Sequence, residues 1–227
     1  MNNSTAILFF SRSAEKEARH KRLFTPYKAN KKIYGAFIAH TEKVLKNTGL
    51  PYFIFDEKQQ TGNSFGQKLC NGIKSVFTKG YAKVIVVGND CLQLNAGTIN
   101  NTANYLETDE LVLGPSNSGG VYLIGITQSA FNAVNLENIH WQTSSVFKEL
   151  KNIAVHFSHR CLSVLADINT RKELIQAQKY LRKFHRLLIY INSIITSLGN
   201  KQNQFYYKLS PCYTLSCSGI SPPPYYL

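Results

Sequence analysis

The stretch KVIVVGNDCLQL, Lys83 to Leu94, decides the architecture. Its first five residues are β-branched apart from Lys83 and carry no alternation of polar and apolar positions. That pattern reads as a strand buried on both faces, the kind found inside a parallel sheet. Gly88 closes the run. In open α/β sheets ligands bind beyond the carboxyl ends of the strands, so GNDCLQL is the place to look for chemistry. Asp90 is its only carboxylate. An aspartate there suits Mg²⁺ or Mn²⁺, with a nucleotide diphosphate completing the coordination. It equally suits the capping of a strand-to-helix turn.

Working outward, Thr5–Phe10 and Pro51–Phe55 read as further strands. Between them, Ile33, Phe37, Val44 and Leu45 recur near helical spacing and predict a helix ending at Gly49. Phe65, Leu69, Ile73, Val76 and Phe77 predict the next helix, after the loop QQTGNSFGQ. Strand, helix, strand, helix, strand defines an α/β fold with a three-layer, doubly wound, mostly parallel sheet. Downstream, LVLGPSNSGGVYLIGI (Leu111–Ile126) holds two strands around a polar Gly-Gly loop. Short helices follow near Gln128–Val134 and Ser144–Leu150, then a strand at Ile153–Phe157. One helix or two in sequence run from Thr170 to about Leu198. Residues 1–180 are expected to form one domain and 181–227 a helical extension with a flexible, Tyr- and Pro-rich tail.

Composition narrows the function. The chain has 227 residues and can bury a full core. No apolar run reaches membrane-spanning length. The start, MNNSTAILFF, lacks a basic n-region and a cleavage site, which argues against a signal peptide and makes the cytoplasm the expected location. Five cysteines without a CxxC pair support neither structural zinc nor a disulfide framework. The net charge of +13 resides in the ends, because residues 51–170 carry eight basic against nine acidic residues. With no nucleic-acid-binding motif beside it, this basic excess reads as solvated faces or as attraction to phosphorylated small molecules, with no specific nucleic-acid partner. A basic surface on the last helix, Lys179, Arg182, Lys183 and Arg186 before LLIYI, allows weak contact with a membrane surface; a helix docked on the domain is the other reading.

Other candidates are fewer. TGNSFG (Thr61–Gly66) opens a helix whose N–H groups face either a phosphate or base edge, or only a capping Asn63 or Ser64. Arg12, Lys16, Arg19, Lys21 and Arg22 follow the first strand and either clamp phosphates or form a solvated face. His156 and His159 lack a third ligand, and no GxSxG elbow exists for a serine hydrolase. Trp141 packs on the core or walls a ligand cleft.

Four stretches in this order, VIVVGNDCLQL, LVLGPSNSGGVYLIGI, IHWQTSSVF and ADINTRKEL, resemble motifs of one bacterial transferase family. The counterparts are GSDCP-x-L, VLGP-x-x-DGGYYLIGL, PW-S-T-x-x-V and DVDTPEDL, and QQTGNSFGQKL is similar to Q-x-x-GDLGERM. The family was long described only as a domain of unknown function and is now labelled glycosyltransferase-like, or selenodomain- or arsenosugar-associated transferase. The resemblance spans about residues 5–180 and implies a GT-A-like, nucleotide-diphospho-sugar transferase fold with a divalent metal between protein and pyrophosphate. It implies roles for Asp90 as metal ligand and catalytic residue and for Gly88, Gly62, Gly66 and Lys68 around the donor. Gly119, Gly120, Tyr122, Trp141 and Thr143 fall to the substrate, and Asp167 with Asn169 to the metal.

Two departures bear on activity. Ser118 stands where the family carries the Asp of DGG, and Asn169 where it carries the Asp before Thr. The N-terminal loop keeps only its basic character, so Arg12, Lys16 and Arg19 are the candidates to assist the leaving pyrophosphate. The expectation is a transferase taking a nucleotide-activated sugar to an unknown acceptor near Ser118. Nucleotidyl transfer, or nucleotide binding without turnover, are the alternatives.

Overall fold

Hydrophobic runs and capped amphipathic segments alternate along the chain, and each becomes a sheet strand or a covering helix. The computed structural model describes residues 4–181 and 185–197. One sheet has the order β2-β1-β3-β5-β4-β6. Its strands are β1 (Thr5–Phe10), β2 (Tyr52–Phe55), β3 (Lys83–Val87), β4 (Leu111–Pro115), β5 (Val121–Thr127) and β6 (His159–Cys161). Only β5 runs against its neighbours; every other pairing is parallel. The chain therefore leaves β1, pairs β2 on one side, then crosses over to β3 on the other. That crossing is the topological switch point.

Alternation along the strands divides the core. Leu8, Val86, Ile124 and Leu113 lie in one register row across the sheet. They pack beneath α3 (Phe65–Phe77), α5 (Gln128–Ala133) and α6 (Val146–Ala154). The opposite row, including Ile7, Ile85 and Val112, packs against α2 (Tyr27–Lys46) and α4 (Ala96–Tyr105). Each such aliphatic side chain, fully buried, contributes roughly 1.5–3 kcal/mol. A third cluster joins α1 (Ala14–His20) and α2 to α7 (Arg171–Leu181) and α8 (His185–Ser197).

The expected doubly wound, mostly parallel α/β fold is found. Helix starts follow the caps: Ser13, Ser64, Asn95 and Thr127 each accept a backbone N–H of the first turn. The strand expected at Ile153–Phe157 is not there. Ile153 and Ala154 end α6, Val155 caps it and is 62% exposed, and the pairing strand is the polar His159–Cys161. Helix α4 was not legible, since only Ile99 and Thr102 of its ten residues are buried. In α8, Ile191 and Ile194 are buried in the cluster shared with α2 and Leu187 and Leu188 pack against it, while Ile189 and Tyr190 are exposed. No described helix is long and apolar enough to cross a membrane. The side chains of Lys179, Arg182, Lys183 and Arg186, and the tail from 198, lie outside the described residues.

Candidate active site

Loops that follow β1, β2, β3, β4 and β6 meet at the carboxyl edge of the sheet. With the segment 141–146 leading into α6 they enclose a cleft of about 860 Å³. Its walls include Arg12, Lys21, Lys68, Gly88, Asp90, Ser118, Gly120, Tyr122, Trp141, Thr143, Asp167 and Asn169. Most of the residues singled out from sequence thus converge on one cavity.

Asp90 is placed by β3 and tied to the last loop, because its carbonyl accepts the Ile168 N–H at 2.9 Å. Its Oδ2 receives the Lys21 ammonium at 3.2 Å. Lys21 also lies 3.5 Å from Glu17 Oε1, one helical turn earlier, and Arg12 reaches Glu17 Oε2 at 3.2 Å. Glu17 is 3% exposed, so this buried carboxylate holds two cations in place at the cleft. Burial alone would pull the Lys21 ammonium down, but Asp90 and Glu17 outweigh it and hold its pKa above the ordinary lysine value.

The Gly-Gly loop is fixed from both sides. Ser118 donates to Asp167 Oδ2 at 2.5 Å and pairs with Ser116 Oγ at 3.0 Å. Gly119 has φ +88°, and a Cβ there would lie 2.2 Å from the Ser144 carbonyl oxygen. Only glycine fits that approach. The Gly119 carbonyl then accepts the Phe147 N–H at 2.9 Å, which draws the loop 140–146 over the cleft. Glu149 braces that loop through Ser145 Oγ at 2.6 Å and the His140 N–H at 3.0 Å. These donors, the Ser145 hydroxyl foremost, hold the Glu149 carboxyl down at about 2.

Some expected ligand groups are committed to structure. Tyr122 donates to the Ser163 carbonyl at 3.1 Å, and burial pushes its hydroxyl up to about 12. Thr143 donates to the His140 carbonyl at 2.6 Å. The Trp141 indole donates to the Leu136 carbonyl at 2.8 Å and its ring packs beside Phe65, with centroids 5.4 Å apart. Gly66 is needed for that packing, since a Cβ would meet Glu137 O at 2.7 Å and the indole at 3.0 Å. Gly62 lies in the loop that Ser64 caps, at φ +127°. Neither glycine lines the cleft, whereas Lys68 does.

The basic segment divides. Arg12 and Lys21 face the cleft. Arg19 pairs with Glu15 at 2.7 Å and sits over the Tyr27 ring, and Lys16 is exposed on the same outer side of α1. The sequence reading named Arg12, Lys16, Arg19, Lys21 and Arg22 and favoured Arg12, Lys16 and Arg19 for the pyrophosphate; of the five, Arg12 and Lys21 line the cleft. Glu17 and Glu57 were missed. Glu57 anchors the loop after β1 by accepting from the Ser13 hydroxyl and N–H at 2.7 and 2.8 Å. The usable signal was the i, i+4 spacing of Glu17 and Lys21.

The donor set suits a divalent ion in part. Asp167 is 8% exposed and its Oδ1 is buried without a hydrogen-bond partner. Asp167 lines the cleft that also holds Asp90, and a buried carboxylate oxygen without a partner is one that a cation would satisfy. No group of three or more His, Cys, Asp or Glu able to hold a metal occurs among the described residues. Any ion held by Asp90 and Asp167 would therefore draw further ligands from substrate and water, as Mg²⁺ ordinarily does. Asn169 lines the cleft while its N–H is held by Glu173 at 2.7 Å.

The fold is the nucleotide-diphospho-sugar transferase fold. A structure from Desulfovibrio desulfuricans G20, provisionally described as a nucleotide-diphospho-sugar transferase, superposes with a TM-score of 0.68 at 16% identity, over 85% of this chain and 97% of that one. A 4-diphosphocytidyl-2C-methyl-D-erythritol synthase from Anaerococcus prevotii DSM 20548 superposes with a TM-score of 0.50 at 9% identity, over 79% and 96%. At these identities the likeness is one of fold. Residues 45–143 match the family model described as an uncharacterized protein conserved in bacteria (DUF2064), and the family resemblance read from the motifs stands. No curated protein matches the sequence.

Proposed function

We propose that the cleft binds a nucleotide-activated sugar and transfers the sugar to an acceptor hydroxyl. The observation that carries this reading is the convergence of Asp90, Asp167, Arg12, Lys21 and Lys68 at the switch point, on a fold shared with a provisionally described nucleotide-diphospho-sugar transferase. Arg12, Lys21 and Lys68 would hold the diphosphate and offset the charge that grows on it as the bond to the sugar breaks. Asp90 and Asp167 would hold a divalent ion, which when bound supplies further electrostatic stabilisation of the leaving diphosphate. Ser118, oriented by Asp167, would accept a hydrogen bond from the acceptor hydroxyl.

Nucleotidyl transfer on the same fold is the second reading, favoured by the likeness to a 4-diphosphocytidyl-2C-methyl-D-erythritol synthase and by Asn169 in place of a carboxylate. Calorimetry with UDP-, GDP-, CDP- and ADP-sugars and the matching triphosphates, in Mn²⁺, separates them. Binding of one diphospho-sugar that Asp90→Ala weakens supports sugar transfer. Preference for a triphosphate, with pyrophosphate release on adding a sugar phosphate, moves the assignment to nucleotidyl transfer. Absence of binding across the panel overturns both.

A further inference from the structure

Lys21 has two carboxylates within reach and one ammonium to share. Its Nζ sits 3.2 Å from Asp90 Oδ2 and 3.5 Å from Glu17 Oε1. The Glu17 contact lies within one turn of helix; the Asp90 contact joins residues 69 apart in sequence. Glu17 is buried and also bound to Arg12, so it remains in place whether or not Lys21 touches Asp90. Asp167 lines the same cleft, and its Oδ1 is buried without a hydrogen-bond partner.

We propose that Lys21 is the resident cation of Asp90, a gate that a divalent ion must displace, and that the displaced ammonium, still tethered to Glu17, becomes a diphosphate ligand. The inference rests on the proposed function, its first half on the divalent ion at Asp90 and its second on the nucleotide. A monovalent ammonium and a divalent ion compete for one carboxylate oxygen, and their like charges disfavour occupying it together. Lys21 at Asp90 compensates the carboxylate and suppresses metal binding when no nucleotide is bound. A substrate that brings its own phosphate oxygens offers the ammonium a new anionic partner. Metal and nucleotide therefore bind with positive coupling, and Lys21 is the residue through which the coupling runs.

The test separates the halves by titrating Mn²⁺ first without and then with nucleotide, following free Mn²⁺ by its paramagnetic resonance signal. The proteins are the full chain as wild type, Lys21→Met, Lys21→Arg and Asp90→Asn, each checked for folding by circular dichroism. Without nucleotide, Lys21→Met is expected to bind Mn²⁺ about tenfold more tightly than wild type, the order gained when a charged hydrogen bond need not be broken first. Asp90→Asn loses Mn²⁺ binding, and Lys21→Arg stays near wild type. With the nucleoside diphosphate that binds best among UDP, GDP, CDP and ADP, Lys21→Met is expected to bind the nucleotide more weakly while binding the metal more tightly. A merely structural lysine does not produce opposite signs. Unchanged or weaker Mn²⁺ binding in Lys21→Met overturns the gate. Nucleotide affinity unaffected by Lys21→Met overturns the phosphate role. Tighter Mn²⁺ binding with no nucleotide bound by any variant upholds the gate while removing the proposed function.

Discussion

Ser118 donates its hydroxyl to Asp167 across 49 residues of chain, at 2.5 Å, and leaves the other Asp167 oxygen buried and unpaired. A serine here donates a hydrogen bond to the Asp167 carboxyl, which an ionised carboxylate at the same place could not do. Ser118→Ala leaves Asp167 without that donor and is expected to cost about 1–3 kcal/mol in urea unfolding. A loss below a few tenths would mean that the contact does not hold the loop.

Ser118→Asp tests the same pair from the other direction. Two carboxylates at hydrogen-bond distance cannot both ionise cheaply, so one is raised above its unfolded value. A raised carboxyl contributes stability while protonated and loses it as pH rises through the folded value. The variant is therefore expected to lose melting temperature, relative to wild type, on going from pH 5 to pH 8. Mn²⁺ should restore more of it in the variant than in wild type, because an ion can bridge the two acids. A pH-independent difference in melting temperature contradicts the pairing.

Much of the fold was legible because hydrophobic period and capping agree. Lys83–Val87 has no polar face, and Ser64 and Ser13 precede helices that they do cap. The failures have physical causes. At Ile153–Phe157 the apolar residues continue the buried stripe of α6, Val146, Leu150 and Ala154, and the true strand His159–Cys161 is an edge with two exposed residues and no pattern to read. In the basic segment, charge density hides helical phase. Glu17 and Lys21 share the inner face of α1, whereas Glu15 and Arg19 pair on the outer one, and composition cannot choose between the stripes. Asp90 was legible from the strand it follows and Asp167 through the resemblance; which of the named basic residues faces them needed the fold.

Gly119 and Gly80 separate backbone strain from collision. Both have positive φ, +88° and +91°, but a Cβ at Gly80 meets nothing within 4 Å while one at Gly119 meets Ser144. Gly80→Ala is expected to cost about 1–2 kcal/mol, the strain of a left-handed residue. Gly119→Ala should cost about 2 kcal/mol more, the scale of an overpacked contact, and should displace the loop 140–146. Chemical denaturation of the two variants measures the difference; equal losses would mean that the loop yields freely.

The brace at Glu149 gives a pH signature. Its carboxyl is held down at about 2 by the Ser145 hydroxyl and the His140 N–H, so its contribution is complete above the ordinary value of about 4.3. It declines as pH falls toward 2. Glu149→Gln is therefore expected to lower the melting temperature at pH 6, by a margin that narrows at pH 3. A margin that widens on acidification would assign the stabilisation to another group.

Arg12 and Lys21 share one buried anion, and the sharing predicts how their removals combine. Arg12→Ala leaves Glu17 with Lys21, and Lys21→Met leaves it with Arg12. Either single change keeps the carboxylate compensated and should cost only about 1–2 kcal/mol, within the usual range for a point change. The double variant strands a side chain that is 5% exposed and still charged. Removing the last partner of a buried ion costs about 3–5 kcal/mol. The double variant should therefore lose more than its singles predict by at least about 1 kcal/mol, beyond the additivity found for independent sites. Urea unfolding of the four proteins measures the excess. The triple variant that adds Glu17→Gln should recover part of it, because the neutral amide no longer needs a cation. Strict additivity in the double variant would mean that Glu17 is compensated by water reaching the floor of the cleft, and that its two cations are held there by something other than their charge.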